Sequence, residues 1–169
     1  GVVIVENGRV SYAGAATGRS AASETIYDAQ GMWVTPGIFM PLTDLGLWDV
    51  GAVSDSNDVR ASGSRFSAAL DASTAVNYAS QHIAVSRAGG VTRATITTSP
   101  TSSIFAGQGA AIDLGADPDA VIEDKKFQMV VLGEAGARIA GGSRVAAYAE
   151  FANAMKEAAD YSAGRWSGE

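Results

Sequence analysis

The stretch Gly31–Leu47 reads GMWVTPGIFMPLTDLGL, and its reading decides the fold. An apolar run, Met32 to Val34, is stopped by Thr35-Pro36-Gly37. A second apolar run, Ile38 to Met40, ends at Pro41-Leu42-Thr43-Asp44. Short apolar runs bounded by proline and glycine read as buried strands, because proline cannot donate to a central ladder and glycine supplies the turn. The stretch therefore predicts two short strands separated by a Pro-Gly break. It also places a boundary between two parts of the chain, residues 1–36 and 37–169.

Upstream, Val2-Val3-Ile4-Val5 and Arg9-Val10-Ser11-Tyr12 flank Glu6-Asn7-Gly8. Asn-Gly between β-rich runs signals a hairpin, since both central residues of a type I′ turn need φ > 0. Ala13 to Ser23 is small and polar and reads as a loop, and Glu24–Ala29 as a strand turned by Gln30-Gly31 into Met32–Val34. The first part is thus expected to be a small antiparallel sheet.

Downstream the pattern changes. Gly51–Ser64 is polar and punctuated by glycine, a surface excursion; Phe66–Leu70 reads as a short strand. Asn77 or Ser80 is placed to cap a helix running to about Ala88 and ended by Gly89-Gly90. Val91–Thr98 is rich in β-branched residues and reads as a buried strand. Ser99–Gly109 reads as a loop, Ala110–Leu114 and Phe127–Leu132 as strands, Asp117-Pro118-Asp119 as a turn, and Gly133 to Gly142 as a loop. Val145, Tyr148, Ala152, Met155 and Ala159 recur at helical spacing, with Ser143 as the N-cap and Gly164 at the C-terminus. Strands alternating with helices after an all-β start predict an α/β chain with parallel βαβ units. The strand count falls short of a closed eight-stranded barrel, which takes about 250 residues. A different small α/β fold and the front part of a barrel both satisfy this pattern.

The 169 residues are 47% hydrophobic and 18% charged, which suits a soluble globular domain or part of one. A net charge of -6 argues against nucleic acid as a partner, since that interaction needs clustered Lys and Arg. The absence of cysteine excludes disulfides, thiol catalysis and Cys-ligated zinc. No apolar run reaches the ~18 residues of a membrane span. The compartment stays open, exported and cytoplasmic alike.

Several motifs resemble the amidohydrolase superfamily, in particular its imidazolonepropionase-related branch. Gly31-Met32-Trp33-Val34-Thr35-Pro36-Gly37 is similar to the family's Gly-x-x-Val-x-Pro-Gly step from a β-sandwich into the first barrel strand. Val5-Glu6-Asn7-Gly8-Arg9-Val10, with Gly14 following, resembles the opening of that sandwich. Arg87-Ala88-Gly89-Gly90-Val91-Thr92-Arg93 resembles an AGVTT-like entry into a barrel strand, and Gly107-Gln108-Gly109-Ala110 a GGQGA loop. The resemblance spans most of residues 1–115 and extends weakly over 132–161. It implies a small β-sandwich portion followed by the first βα units of a TIM-like (β/α)8 barrel, here incomplete. It further implies hydrolysis of non-peptide C–N bonds in amides or cyclic amides, with a divalent metal, zinc foremost, at the barrel's C-terminal mouth. Such a metal lowers the pKa of bound water and polarises a carbonyl. The family's Asp-x-His-x-His falls here on Met40, Leu42 and Asp44, and its later ligands would lie beyond residue 169. With one histidine in total, this chain is not expected to assemble that site alone.

Asp44 stands at the second histidine position and can offer oxygen to zinc or a harder cation; the competing reading is a carboxylate capping a loop at a strand end. Leu42 cannot ligate. Glu134 follows the strand Phe127–Leu132, at what would be a barrel mouth, and is the second candidate metal ligand; a solvated loop carboxylate is the alternative. His82 falls within the expected helix, away from strand ends, and reads as a surface or helix-start residue. Asp55, Asn57 and Asp58 lack the glycine and closing glutamate of an EF-hand. Gly107-Gln108-Gly109 could cradle an anion through backbone N–H groups, but lacks the Lys-Ser/Thr of a P-loop. Ser102 and Ser103 have no nucleophile motif around them, and Trp33, Trp48 and Trp166 are scattered as packing residues are.

Two alternatives accompany the hydrolase reading: a non-catalytic relative that binds a small molecule after losing the metal site, and a structural subunit. The expected partners are a small-molecule substrate or ligand, and, at exposed strand edges, either a second copy or the remaining barrel strands.

Overall fold

The computed structural model describes residues 1–17 and 25–166. The chain divides into two compact units, Gly1–Pro36 and Gly37–Glu169. In the first, β1 (Val2–Glu6) and β2 (Arg9–Gly14) pair antiparallel. Asn7 at φ 51° and Gly8 at φ 73° make the expected two-residue turn. Opposite Ile4 and Val5 the register shifts by one residue, so Ser11 bulges out of the ladder.

The rest of this unit departs from expectation. Gln30 (φ 49°) and Gly31 (φ 82°) do form the turn, closed by the Met32 N–H donating to the Ala29 carbonyl at 2.8 Å. Neither Thr25–Ala29 nor Met32–Val34 becomes a strand; Glu24 and residues 18–23 of the expected loop lie outside the described residues. Ile26, Tyr27, Met32, Trp33 and Val34 are all exposed. An apolar run becomes a strand only where a neighbour completes its hydrogen bonds, and no described strand pairs with these.

The second unit is built on a four-stranded sheet in the order β3-β4-β5-β6, comprising Ile38–Thr43, Val91–Ile96, Phe105–Asp113 and Val121–Val130. Between β3 and β4, which run parallel, the chain passes through 3₁₀ turns at Ser54–Ser56 and Ala72–Ala75 and through helix α1, Gln81–Ala88. β4, β5 and β6 are successively antiparallel. The expectation of repeated parallel βαβ units holds for the first pair alone. The connections 97–104 and 114–120 are too short for a crossover, which takes a dozen residues or more, so the chain can only reverse. The described sheet is open, not a closed barrel.

Leu45, Leu47, Ala72, Ile83, Val91, Ala94, Ile96, Ala110, Ile112 and Leu114 form the buried core, with Met40, Val59 and Val76 packed against it. It ties the turn after β3 and helix α1 to the sheet. Ser80 caps α1: its hydroxyl accepts from the His82 N–H and donates to the Trp48 carbonyl at 3.1 Å.

Phe66–Leu70 forms bends and a turn rather than a strand. β5 starts at Phe105, within the stretch expected to be a loop. Its glycines hide the strand pattern while serving it. The Phe127 side chain occupies the space a Cβ on Gly109 would need, and Gly107, at φ 122°, passes the Leu70 carbonyl with no room for one. The interval Gly133–Gly142 holds a short helix, α2 (Glu134–Ile139), before α3 (Arg144–Ser162), whose N-cap is Ser143.

Candidate functional site

Beyond Thr43, the chain turns at once. The Leu47 N–H closes on the Asp44 carbonyl at 3.0 Å, and Gly46 takes φ 81° in a place where a Cβ would crowd Ile83 and Val76. Thr43 anchors the turn: its hydroxyl donates to the Thr95 carbonyl and accepts from the Leu45 N–H, while its carbonyl accepts from the Thr97 N–H. With Leu45 and Leu47 drawn into the core, Asp44 is left pointing outward at the C-terminal end of β3. Its carboxylate accepts no hydrogen bond among the described residues.

Three clefts adjoin one another here. One of about 310 Å3 is lined by Leu42, Thr43, Asp44, Thr97–Pro100 and Met129. A second, about 260 Å3, shares Asp44 and adds Trp48, Gly51, Asn57, Val59 and Arg60. The third, about 640 Å3, shares Arg60, Ser99 and Pro100 and extends to Thr101, Val131 and α2 residues Ala135, Arg138 and Ile139. All three gather where β3 and β4 end. That is where ligands bind in parallel α/β sheets, because strand-end loops converge there over the closed end of the core.

Glu134 is the exposed first residue of α2 and is not among the residues lining these clefts. A carboxylate in a first helical turn is favourable in its own right. Among the described residues no three of His, Cys, Asp and Glu come together as a metal-holding group. Zinc takes four ligands, so Asp44 and Glu134 do not by themselves make a zinc site. His82 lies on α1 with its ring 3.8 Å from that of Trp48, and Nε2 donates to the Asp49 carbonyl at 2.9 Å. That bond ties the helix start to the 48–50 segment. The Gly107-Gln108-Gly109 backbone is committed to the fold: the Gln108 N–H donates to Leu70 and the Gly107 carbonyl accepts from Gln128, so it forms no anion cradle.

The sequence singles out none of Arg60, Ser99, Thr101 and Arg138, yet all four line the third cleft. The one signal available for Ser99 and Thr101 is their position just past a strong β-branched strand. For the arginines there is none, because their neighbourhood is made by long-range contacts.

No family model matches the sequence, and no curated protein does. Among solved structures, the crystal structure of an amidohydrolase from Thermotoga maritima MSB8 is similar, with a TM-score of 0.63 and 20% sequence identity over 99% of this chain and 47% of that one. The fold is amidohydrolase-like. At this identity the likeness concerns architecture and not chemistry. The chain spans about half the length of that amidohydrolase. Among its described residues, no helix of the amidohydrolase-like chain is long and apolar enough to cross a membrane.

Proposed function

We propose that the protein is an amidohydrolase-fold hydrolase of C–N bonds other than peptide bonds, of the amide or cyclic-amide class, with its reacting centre at the mouth where β3 and β4 end. The carrying observation is Asp44: a carboxylate without a partner in the described structure, at a strand end, facing two adjoining clefts. In this reading residues 1–36 are a β-sandwich portion and 37–169 part of a barrel. Asp44 is the residue of this chain best placed to take part in holding a divalent cation such as zinc, and Glu134 is the other candidate. The described residues alone do not complete such a site, so the remaining donors would come from further strands of a longer polypeptide. What this chain's own residues do is shape the mouth and orient a small-molecule substrate in it.

A second reading has its own support. Leu42, half exposed and lining the same cleft, stands where the resembling motif has a ligand and cannot serve as one. That favours a relative that binds a small molecule, or serves structurally, without metal-dependent turnover. Metal content and hydrolysis of a panel of amides and cyclic amides by the full-length protein separate the two. On the hydrolase reading the protein retains a stoichiometric divalent metal, and Asp44→Asn lowers kcat/KM at least about tenfold. Metal-replete, folded protein that turns over nothing in the panel defeats it.

A further inference from the structure

The third of these clefts, about 640 Å3, has a size suited to a small ligand. Its charge is distinctive. Two arginines, Arg60 and Arg138, line it and no carboxylate does, although the chain as a whole carries a net charge of -6. Both arginines are exposed, and carboxylates are plentiful elsewhere on the chain. Yet neither arginine makes a salt bridge or hydrogen bond among the described residues; the ion pairs there use Lys125, Lys126 and Arg165. Ser99 and Thr101, half-buried, line the same cleft, and their hydroxyls also make no hydrogen bond in the described structure.

The wall that carries these groups is held by backbone contacts. The Ser99 N–H donates to the Val59 carbonyl at 2.8 Å, which sets Arg60 beside the end of β4. The Val131 N–H donates to Ile104 at 2.9 Å, and α2 sits so close to the Val131 carbonyl that Gly136 has no space for a Cβ. This seats Arg138 over the same cleft. Guanidinium groups present forked donors that match the paired oxygens of a carboxylate or phosphate, and hydroxyls add further donors.

We propose that this cleft binds the oxyanion of a small molecule, a carboxylate or phosphate group, held by Arg60 and Arg138 with Ser99 and Thr101. The inference deepens the hydrolase reading by giving its substrate an acidic tail, anchored beside the Asp44 mouth. It is tested on the full-length protein by titration calorimetry with inorganic phosphate and with glutarate. Binding is read without turnover, so failure of hydrolysis and failure of this site are distinguishable. At least one probe is expected to bind one-to-one, more weakly as salt is raised. Phosphate alone, glutarate alone or both would assign the anion class and support the site. Arg60→Met and Arg138→Met should each weaken binding about tenfold or more, while Arg65→Met, whose guanidinium lies 4.9 Å from the Phe66 ring centre, should leave it unchanged. Arg138→Lys, which keeps the charge and loses the fork, should fall between wild type and Arg138→Met. No binding of either probe at about 10 mM, or binding insensitive to both Met variants with unchanged circular dichroism, overturns the proposal.

Discussion

Gly136 shows how much of the mouth rests on single atoms. An added Cβ would collide with the Val131 carbonyl, which is backbone and cannot swing aside. Gly136→Ala should therefore lift α2 off the end of β6 and destabilise the protein by about 2 kcal/mol, the scale of overpacking a tight contact. A lower urea midpoint with an unchanged slope checks this. Arg138 rides on the same helix, so the substitution should also disturb the cleft that Arg60 and Arg138 line. None of this is legible from the chain, where Gly136 stands among small residues in an apparent loop. Asp44 is the opposite case. Its position at a strand end follows from Thr35-Pro36-Gly37 and the apolar run after it, and the structure places it there. That its carboxylate stays unpartnered depends on Leu45 and Leu47 being pulled inward, a consequence of core packing that no local pattern encodes.

At the scale of elements, helix α1 was the most readable piece. A capping polar residue at Asn77 or Ser80, Gly89-Gly90 as the stop and the β-branched run after it are local signals, and the structure uses Ser80 as the cap. The cap also has a tertiary duty, because the same buried hydroxyl holds the Trp48 carbonyl. Ser80→Ala removes both bonds and should cost about 1–2 kcal/mol, more than an exposed cap alone. The expected outcome is a lowered Tm, with faster amide exchange in the first turn of α1. Strand β5 was the least readable piece. Its pattern is broken by Gly107 and Gly109, and its strand character comes from the register with β6 and from the Phe127 ring laid over Gly109. Cross-strand partners of this kind lie about twenty residues away, outside any local window.

For the whole molecule the decisive feature is the state of the strand edges. In the second unit β3 is an edge of the described sheet, and Ile38, Phe39 and Leu42 on it are exposed. Unpaired edges with apolar side chains seek partners. The 169-residue polypeptide on its own should therefore self-associate, measured by light scattering after size exclusion, whereas a longer chain supplying further strands should not. A stable, monodisperse monomer of 169 residues would count against the partial-barrel reading.

Some things about this protein were determined by its sequence alone: the hairpin at Asn7-Gly8, the capped helices α1 and α3, and the strand-end position of Asp44. These depend on φ preferences, caps and short apolar runs, which act over a few residues. The tertiary structure decided which apolar runs found partners. It made β3 and β4 parallel and the next strands antiparallel, left Met32–Val34 unpaired, and brought Arg60, Ser99 and Arg138 around one cleft. The physical reason is that pairing and burial are agreements between distant segments. A strand, or a cleft, exists only when both of its sides are present.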